Sequence, residues 1–167
     1  MPSRRPHAQS GAVPGTAQFE TGTHTRRWTA LTGMGDRSIL MTNDQKKPLR
    51  TVLVDDYPPL LAALATLLRT RGDIEIVGRA NSGRDGLKLA EEQQPDLVLV
   101  DFSMPDIDGV AVTRHLKATP KPPKVVVMSF HAEPEYREMA MHAGADAYLV
   151  KTELYHELVP LLGRIAV

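Results

Sequence analysis

The sequence contains no cysteine. It therefore cannot form a disulfide, use a thiol as a nucleophile or bind zinc through thiolates, and this absence fits a reducing compartment. Long apolar runs are also missing, since no stretch approaches the roughly 20 residues that a membrane-spanning helix needs. Neither sign of charge dominates, because Lys plus Arg and Asp plus Glu both number 20. We therefore expect a soluble, cytoplasmic protein without a general attraction to nucleic acid or membranes.

The 167 residues, 42% of them apolar, suffice for one substantial hydrophobic core. Residues 1–48 combine repeated Pro and Gly with scattered Ser, Thr and Arg and show no amphipathic period, so we expect them to be disordered. Met41 lies a few residues before the first apolar run and is a candidate start, so residues 1–40 need not belong to the native protein. The single folded domain is then expected to span residues 49–167.

Strand and helix patterns alternate from Arg50 onward, which is typical of βαβ units around a parallel sheet. Each of five short apolar runs is followed by a segment whose apolar residues recur at helical spacing. The third run is apolar on both faces, as expected at the centre of a sheet that helices cover on both sides. We therefore expect an α/β fold with a doubly wound, five-stranded parallel sheet. The strands are predicted at residues 50–55, 74–77, 97–101, 124–129 and 146–150.

Four of these strands end on side chains suited to phosphate chemistry. Asp55 and Asp56 stand at the end of the first strand, Asp101 ends the third, Ser129 ends the fourth and Lys151 follows the fifth. Ligands of open α/β sheets bind in the crevice outside the carboxyl ends of the strands. The sequence therefore predicts one site at which these side chains converge.

Three carboxylates in one crevice repel each other and raise one another's pKa unless a cation is present. A hard divalent cation such as Mg²⁺ suits carboxylates together with a main-chain carbonyl and water, and the carbonyl of Ser103 could reach the same ion. Asp55 and Asp56 alone would be interpreted as a solvated turn. With Asp101 beside them, a metal site becomes the better interpretation.

Asp101 has three interpretations from its position: a solvated strand end, a metal ligand, or a nucleophile toward phosphorus. Lys151 by itself would be a solvated tip, and Ser129 by itself a cap. Placed together, the ammonium, the hydroxyl and Mg²⁺ would cover the charge on a transferred phosphoryl group, which is how phosphoryl transfer is stabilised. The combination favours a phosphoacceptor site.

Residues 50–165 resemble a response-regulator receiver domain, the phosphoacceptor half of two-component signalling. The resemblance rests on the acidic pair, on the segment DFSMPDIDG at 101–109 and on AGADAYLVK at 143–151. The segments PDLVLVD at 95–101 and 143–151 are similar to receivers of the NarL and FixJ type. The resemblance implies a flavodoxin-like or CheY-like fold with five helices and strand order 2-1-3-4-5.

The resemblance also implies roles for single residues. On phosphorylation the switch hydroxyl would move toward the phosphoryl group while the switch aromatic turns inward. The implied roles are phosphoacceptor for Asp101, Mg²⁺-binding acidic pair for Asp55 and Asp56, switch hydroxyl for Ser129, switch aromatic for Tyr148 and the family's lysine for Lys151.

Two departures from the family pattern affect what is expected. Phe130 stands where many receivers have Ala or Gly, and its bulk could narrow the path to the phosphoryl group. Together with Ser103 and His131, which flank the path of an attacking water in the family, Phe130 is expected to tune the phosphoryl lifetime. The chain ends at Val167, so we expect no helix-turn-helix output domain and no direct DNA binding.

The function expected from these observations is that of a single-domain response regulator in a phosphorelay. It would accept phosphoryl from a histidine kinase or a phosphotransfer protein on Asp101 and signal to a downstream protein through a phosphorylation-dependent surface. Homodimer formation is compatible with this role. The chain would not be an enzyme beyond self-phosphorylation from small donors and autodephosphorylation.

Two alternatives belong to other classes. A Mg²⁺-dependent phosphohydrolase of the haloacid dehalogenase kind also uses an aspartyl nucleophile, but it needs an acid two residues later, where this chain has Ser103. A receiver-fold binding module indifferent to phosphate would not need the complete set of site residues. Phosphomonoester turnover would favour the first, and a partner that ignores Asp101→Asn would favour the second.

Overall fold

The five apolar runs pair as one parallel sheet in the computed structural model, which describes residues 47–165. Their order across the sheet is 2-1-3-4-5, and every neighbouring pair is parallel. The predicted five-stranded α/β fold and its strand order are therefore confirmed. The strands are β1 (Leu49–Val54), β2 (Ile74–Ala80), β3 (Leu97–Asp101), β4 (Lys124–Ser129) and β5 (Ala147–Val150).

Helices cover both faces of the sheet because their apolar stripes complete two separate cores. The first and last helices share one core, and the middle three share the other. A 3₁₀ turn at Lys151–Glu153 joins β5 to the last helix. Among residues 47–165, no helix has the length and apolarity needed to cross a bilayer. The helices are α1 (Pro58–Arg69), α2 (Gly83–Gln93), α3 (Gly109–Lys117), α4 (Pro134–His142) and α5 (Leu154–Ile165).

Strand β3 is apolar throughout because each of its faces meets a different core. Leu97 and Leu99 belong to the core beneath α1 and α5, whereas Val98 and Val100 belong to the core beneath α2, α3 and α4. All four side chains are fully buried. Burial of one such side chain stabilises the fold by about 1.5–3 kcal/mol. The alternation fixes the register of β3 and therefore the position of Asp101 at its end.

The predicted bounds differ from the structure at three strands, of which β5 begins at Ala147, one residue later than predicted, and β1 begins at Leu49, one residue earlier. β1 ends at Val54, one residue before the predicted bound, so Asp55 lies just beyond the strand. β2 continues three residues past the predicted end, to Ala80. Gly78 and Arg79 interrupt the apolar pattern, yet their main chains still pair with β1, and Leu89 of α2 packs where Gly78 has no side chain. Most of the predicted disordered extension at residues 1–48, and Met41 with it, lies outside the described residues.

Asp146 ties together three elements at the edge of the sheet where the strands begin. Its carboxylate accepts hydrogen bonds from Lys117 Nζ at 2.5 Å, Lys124 Nζ at 3.0 Å and the Val125 main-chain N–H at 2.8 Å. Partial burial acts to raise the pKa of Asp146, but these three hydrogen bonds outweigh it and the pKa is lowered. The carboxylate therefore links α3 and β4 to the start of β5.

We expect Asp146→Asn to lower the free energy of unfolding at neutral pH, because it weakens the bonds to Lys117 and Lys124. The loss should be only about 1 kcal/mol, because solvent partly screens the Asp146 side chain. A carboxylate whose pKa falls on folding stabilises the fold above its ordinary pKa, and this contribution is lost as the pH drops through the folded-state pKa. Urea unfolding at pH values descending from neutrality should show the gap to the wild type narrowing. Glu92→Gln, in an exposed pair with Lys88, is the control. A gap that stays constant in acid would contradict the assignment.

Candidate functional site

The structure brings together the side chains predicted at the ends of β1, β3 and β5. Lys151 Nζ lies 2.7 Å from Asp55 Oδ2 and 2.8 Å from Asp101 Oδ1. Asp55 is fully buried, and the side chains of Asp101 and Lys151 are only 6% and 4% exposed. Charges removed from water to this degree are stable only when they are paired. The Lys151 ammonium therefore forms ion pairs with two buried carboxylates at once.

The pKa values of both Lys151 and Asp101 are raised, which favours the charged form of the lysine and the neutral form of the aspartate. Burial alone would lower the pKa of Lys151, but Asp101 and Asp55 outweigh it and the pKa is raised. The pKa of Asp101 is also raised, because burial and the charge of Asp55 outweigh the hydrogen bond from Lys151. The ammonium is thus held firmly in its charged form, while the pair of carboxylates remains short of positive charge.

Asp55, Asp56 and Asp101 form a cluster that fits a divalent cation. One carboxylate oxygen of each lies within 4.8 Å of the others. Asp55 Oδ1 accepts the Tyr57 main-chain N–H at 3.0 Å, whereas the buried Oδ2 has the Lys151 ammonium beside it but no aligned hydrogen bond among the described residues. Three carboxylates beside one ammonium leave an excess of negative charge that a divalent cation would offset. Carboxylate oxygens are the ligands that Mg²⁺ prefers. Coordination of the ion by the Ser103 carbonyl stays a prediction.

Ser129 and Tyr148 hold the loop after β4 through His131. Ser129 Oγ accepts the His131 main-chain N–H at 3.1 Å, and Tyr148 Oη donates to the His131 carbonyl at 2.7 Å. Burial raises the pKa of Tyr148 although the Ser129 hydroxyl opposes the shift, so the phenol keeps its proton. A hydroxyl that accepts one hydrogen bond can still donate its own proton, so the Ser129 hydroxyl can donate either to the Tyr148 phenol oxygen or, after rotation, to another acceptor. Tyr148 is only 3% exposed, and the turn of its ring on phosphorylation stays a prediction.

The three residues expected to tune the phosphoryl lifetime lie on the loops beside the carboxylates. Phe130 is 69% exposed, and its ring centroid lies 5.1 Å from Lys151 Nζ. The Ser103 main-chain N–H acts to lower the pKa of Asp101 against the larger effect of burial. The His131 ring stacks on Tyr136 at a centroid distance of 4.0 Å. Their effect on a phosphoryl lifetime stays a prediction.

The sequence interpretation missed the residues that hold the loop between β3 and α3. Asp106 accepts the main-chain N–H groups of Gly83 at 3.0 Å and Arg84 at 2.9 Å, so it binds the first turn of α2. The hydrogen bonds from Arg84 and Gly83 lower the pKa of Asp106 to about 2. Asp108 caps α3 by accepting the Ala111 N–H at 2.7 Å. Acidic residues just before Gly109 were the available signal, because Asp is a favoured helix cap.

Comparison with known proteins gives a consistent result. The profile of the family described as "Response regulator receiver domain" matches residues 51–162. The response regulator protein VraR of Staphylococcus saprophyticus is 35% identical over 105 residues, which are 63% of this chain and 50% of VraR. The transcriptional regulatory protein LiaR of Bacillus subtilis is 33% identical over 110 residues, 66% of this chain and 52% of LiaR.

A solved structure supports the same likeness. The signal receiver domain of the response regulator NarL from Mycobacterium tuberculosis superposes with a TM-score of 0.68 at 30% identity, covering 72% of this chain and 97% of that domain. The chain spans about half the length of the curated relatives it matches. The expectation that it works without an output domain stays a prediction.

We expect Gly109→Ala to destabilise the fold by about 2 kcal/mol or more, because overpacking against a fixed main chain cannot be relieved locally. A Cβ at Gly109 would lie 2.1 Å from the carbonyl oxygen of Asp101. Gly163→Ala is the matched control, since it lies inside α5 with open space around it and should gain about 0.5–1 kcal/mol from helix propensity. Urea unfolding measures both. Equal effects of the two substitutions would contradict the close approach.

Adding Mg²⁺ should raise the free energy of unfolding by about 1.4 kcal/mol at ten times the dissociation constant, since the ion binds only the folded site. Asp55→Asn should remove most of this response, because it removes one of the three clustered carboxylates that would hold the ion. Glu157→Gln, an exposed acid on α5, should keep the response in full. Thermal unfolding with and without MgCl₂ is the measurement. An undiminished response in Asp55→Asn would show that the cation binds elsewhere.

Proposed function

The chain belongs to the response regulator receiver domain family, and from this membership we propose that Asp101 accepts a phosphoryl group from a histidine kinase or a phosphotransfer protein. Receiver domains are the phosphoacceptor half of two-component signalling. The observation that carries the proposal is the position of the Asp101 carboxylate, buried at the end of β3 with Lys151 Nζ 2.8 Å away and two further acids beside it. A carboxylate so placed is a nucleophile surrounded by groups that stabilise phosphoryl charge.

In the proposed reaction, a carboxylate oxygen of Asp101 attacks the phosphorus of a phosphohistidine. The new O–P bond forms as the P–N bond breaks, and the bonding electron pair leaves with the imidazole nitrogen. Lys151 is positioned to neutralise charge on the acceptor, and the Ser129 hydroxyl has a proton to donate to a phosphoryl oxygen. Asp55, Asp56 and Asp101 would hold Mg²⁺, which supplies further neutralisation of the phosphoryl oxygens.

Phosphorylation would act as a signal through the loop after β4. A phosphoryl group adds charge and strong acceptor oxygens at Asp101. If Ser129 turns to donate to it, the hydrogen bond from the His131 N–H is strained, while Tyr148 holds the His131 carbonyl from the other side. The charge change is thereby coupled to the loop and to α4. The chain would act by altering this surface and not by turning over a substrate.

We propose a protein, and not DNA, as the direct partner of this domain. Non-specific affinity for DNA comes from an excess of Lys and Arg facing the phosphates. Here basic and acidic residues number 20 each. LiaR is called a transcriptional regulatory protein, and the region it shares with this chain is about half of it. The proposed location is the cytoplasm, where such kinases donate phosphoryl groups.

Incubation with phosphoramidate and Mg²⁺ should give a covalent adduct with the mass of one phosphoryl group, stable in acid and labile in base as an acyl phosphate is. Intact-protein mass spectrometry measures it. Asp101→Asn should form none, because its amide is not a nucleophile toward phosphorus. An absent adduct on the wild type contradicts the proposed function.

Asp85→Asn, an exposed acid at the start of α2, is the matched control and should be phosphorylated normally. Sustained turnover of a phosphomonoester would instead favour the phosphohydrolase alternative. A partner that binds Asp101→Asn and the phosphorylated wild type equally well would favour the phosphate-indifferent module.

A further inference from the structure

The position of Phe130 against Lys151 points to a role that the carboxylates alone do not explain. We propose that Phe130 is a positioning residue, whose ring holds the Lys151 ammonium against Asp55 and Asp101. Its consequence for phosphoryl acceptance rests on the proposed function. The positioning itself does not, because it concerns the arrangement of the protein's own side chains.

The geometry at Lys151 Nζ supports a cation–π contact. The ring centroid of Phe130 lies 5.1 Å from the nitrogen, within the distance of roughly 6 Å at which an ammonium is attracted to the face of an aromatic ring. Asp55 and Asp101 approach the same nitrogen at 2.7 and 2.8 Å. The ammonium is thus contacted by two anions and by a ring.

The exposed fractions of Phe130 and Lys151 indicate how the ring acts on the ammonium. Phe130 is 69% exposed, so burial of apolar area gives it little reason to lie here. The Lys151 side chain, in contrast, is only 4% exposed although it stands at a strand end. A ring over the ammonium keeps water from it, and ion pairs are stronger where water is excluded. Phe130 therefore strengthens the pairing of Lys151 with its carboxylates.

Bulk and aromatic character predict opposite orders of activity for substitutions of Phe130. If the ring acts only as an obstacle, Ala should accept phosphoryl fastest, Trp slowest, and Leu about as fast as Phe. If the ring positions Lys151, the aromatic residues should resemble the wild type while Leu and Ala are slower. Leu is decisive because it keeps apolar bulk and lacks the π face.

The rate of phosphorylation by phosphoramidate and Mg²⁺ is measured for Phe130→Tyr, Phe130→Trp, Phe130→Leu and Phe130→Ala. We expect Leu and Ala to be about 3- to 10-fold slower than the wild type, with Tyr and Trp close to it. Tyr155→Leu, an equally exposed aromatic on α5, is the control and should not change the rate. A Leu rate equal to that of the wild type, or an Ala rate above it, overturns the proposal.

A second readout does not depend on phosphoryl transfer. Protons above an aromatic face are shifted upfield, so the side-chain resonances of Lys151 should be shifted in the wild type and in Phe130→Tyr. They should return toward ordinary lysine values in Phe130→Leu. Unchanged Lys151 resonances in Phe130→Leu overturn the positioning role. If the wild type is not phosphorylated but the resonances respond as expected, the proposed function fails and the positioning role stands.

Discussion

The ion pairing of Lys151 with Asp55 and Asp101 is the interaction on which the rest of the site depends. These residues are 46 to 96 positions apart in sequence and meet because β1, β3 and β5 are parallel and end at one edge of the sheet. Removing one partner of such a pair leaves a buried charge uncompensated, which is far more costly than losing an exposed pair. The sheet order thus brings the three charges together, and their mutual pairing makes their burial possible.

The same arrangement leaves the site with more negative than positive charge. Asp55, Asp56 and Asp101 face a single ammonium, and one buried oxygen of Asp55 has that ammonium beside it but no aligned hydrogen bond among the described residues. An excess of one charge in a cleft is typical of functional sites, where a ligand supplies the opposite charge. Burial, and after it the charge of Asp55, raises the pKa of Asp101 at the same site.

Features that depend on apolar periodicity could be predicted from the sequence, whereas features that depend on side-chain geometry could not. The bounds of β3 were predicted correctly because burial on both faces makes the run continuous, and this placed Asp101. The end of β2 was wrong, since Gly78 and Arg79 pair through main-chain groups that leave no apolar signal. The contact of Phe130 with Lys151 and the inward Tyr148 depend on rotamers and loop conformation, which no residue spacing encodes.

The two loops that flank Asp101 differ in how they are held, and this difference gives the proposed signal its direction. Three contacts fix the loop after β3. Asp106 accepts a hydrogen bond from the main chain of α2, Asp108 accepts one from the main chain of α3, and Gly109 approaches Asp101 closely. The loop after β4 is tied through the two main-chain groups of His131. One of those ties is the Ser129 hydroxyl, which also suits a phosphoryl oxygen. New charge at Asp101 would therefore act first on the loop that leads to α4, because one of the ties of that loop is also the group that suits a phosphoryl oxygen.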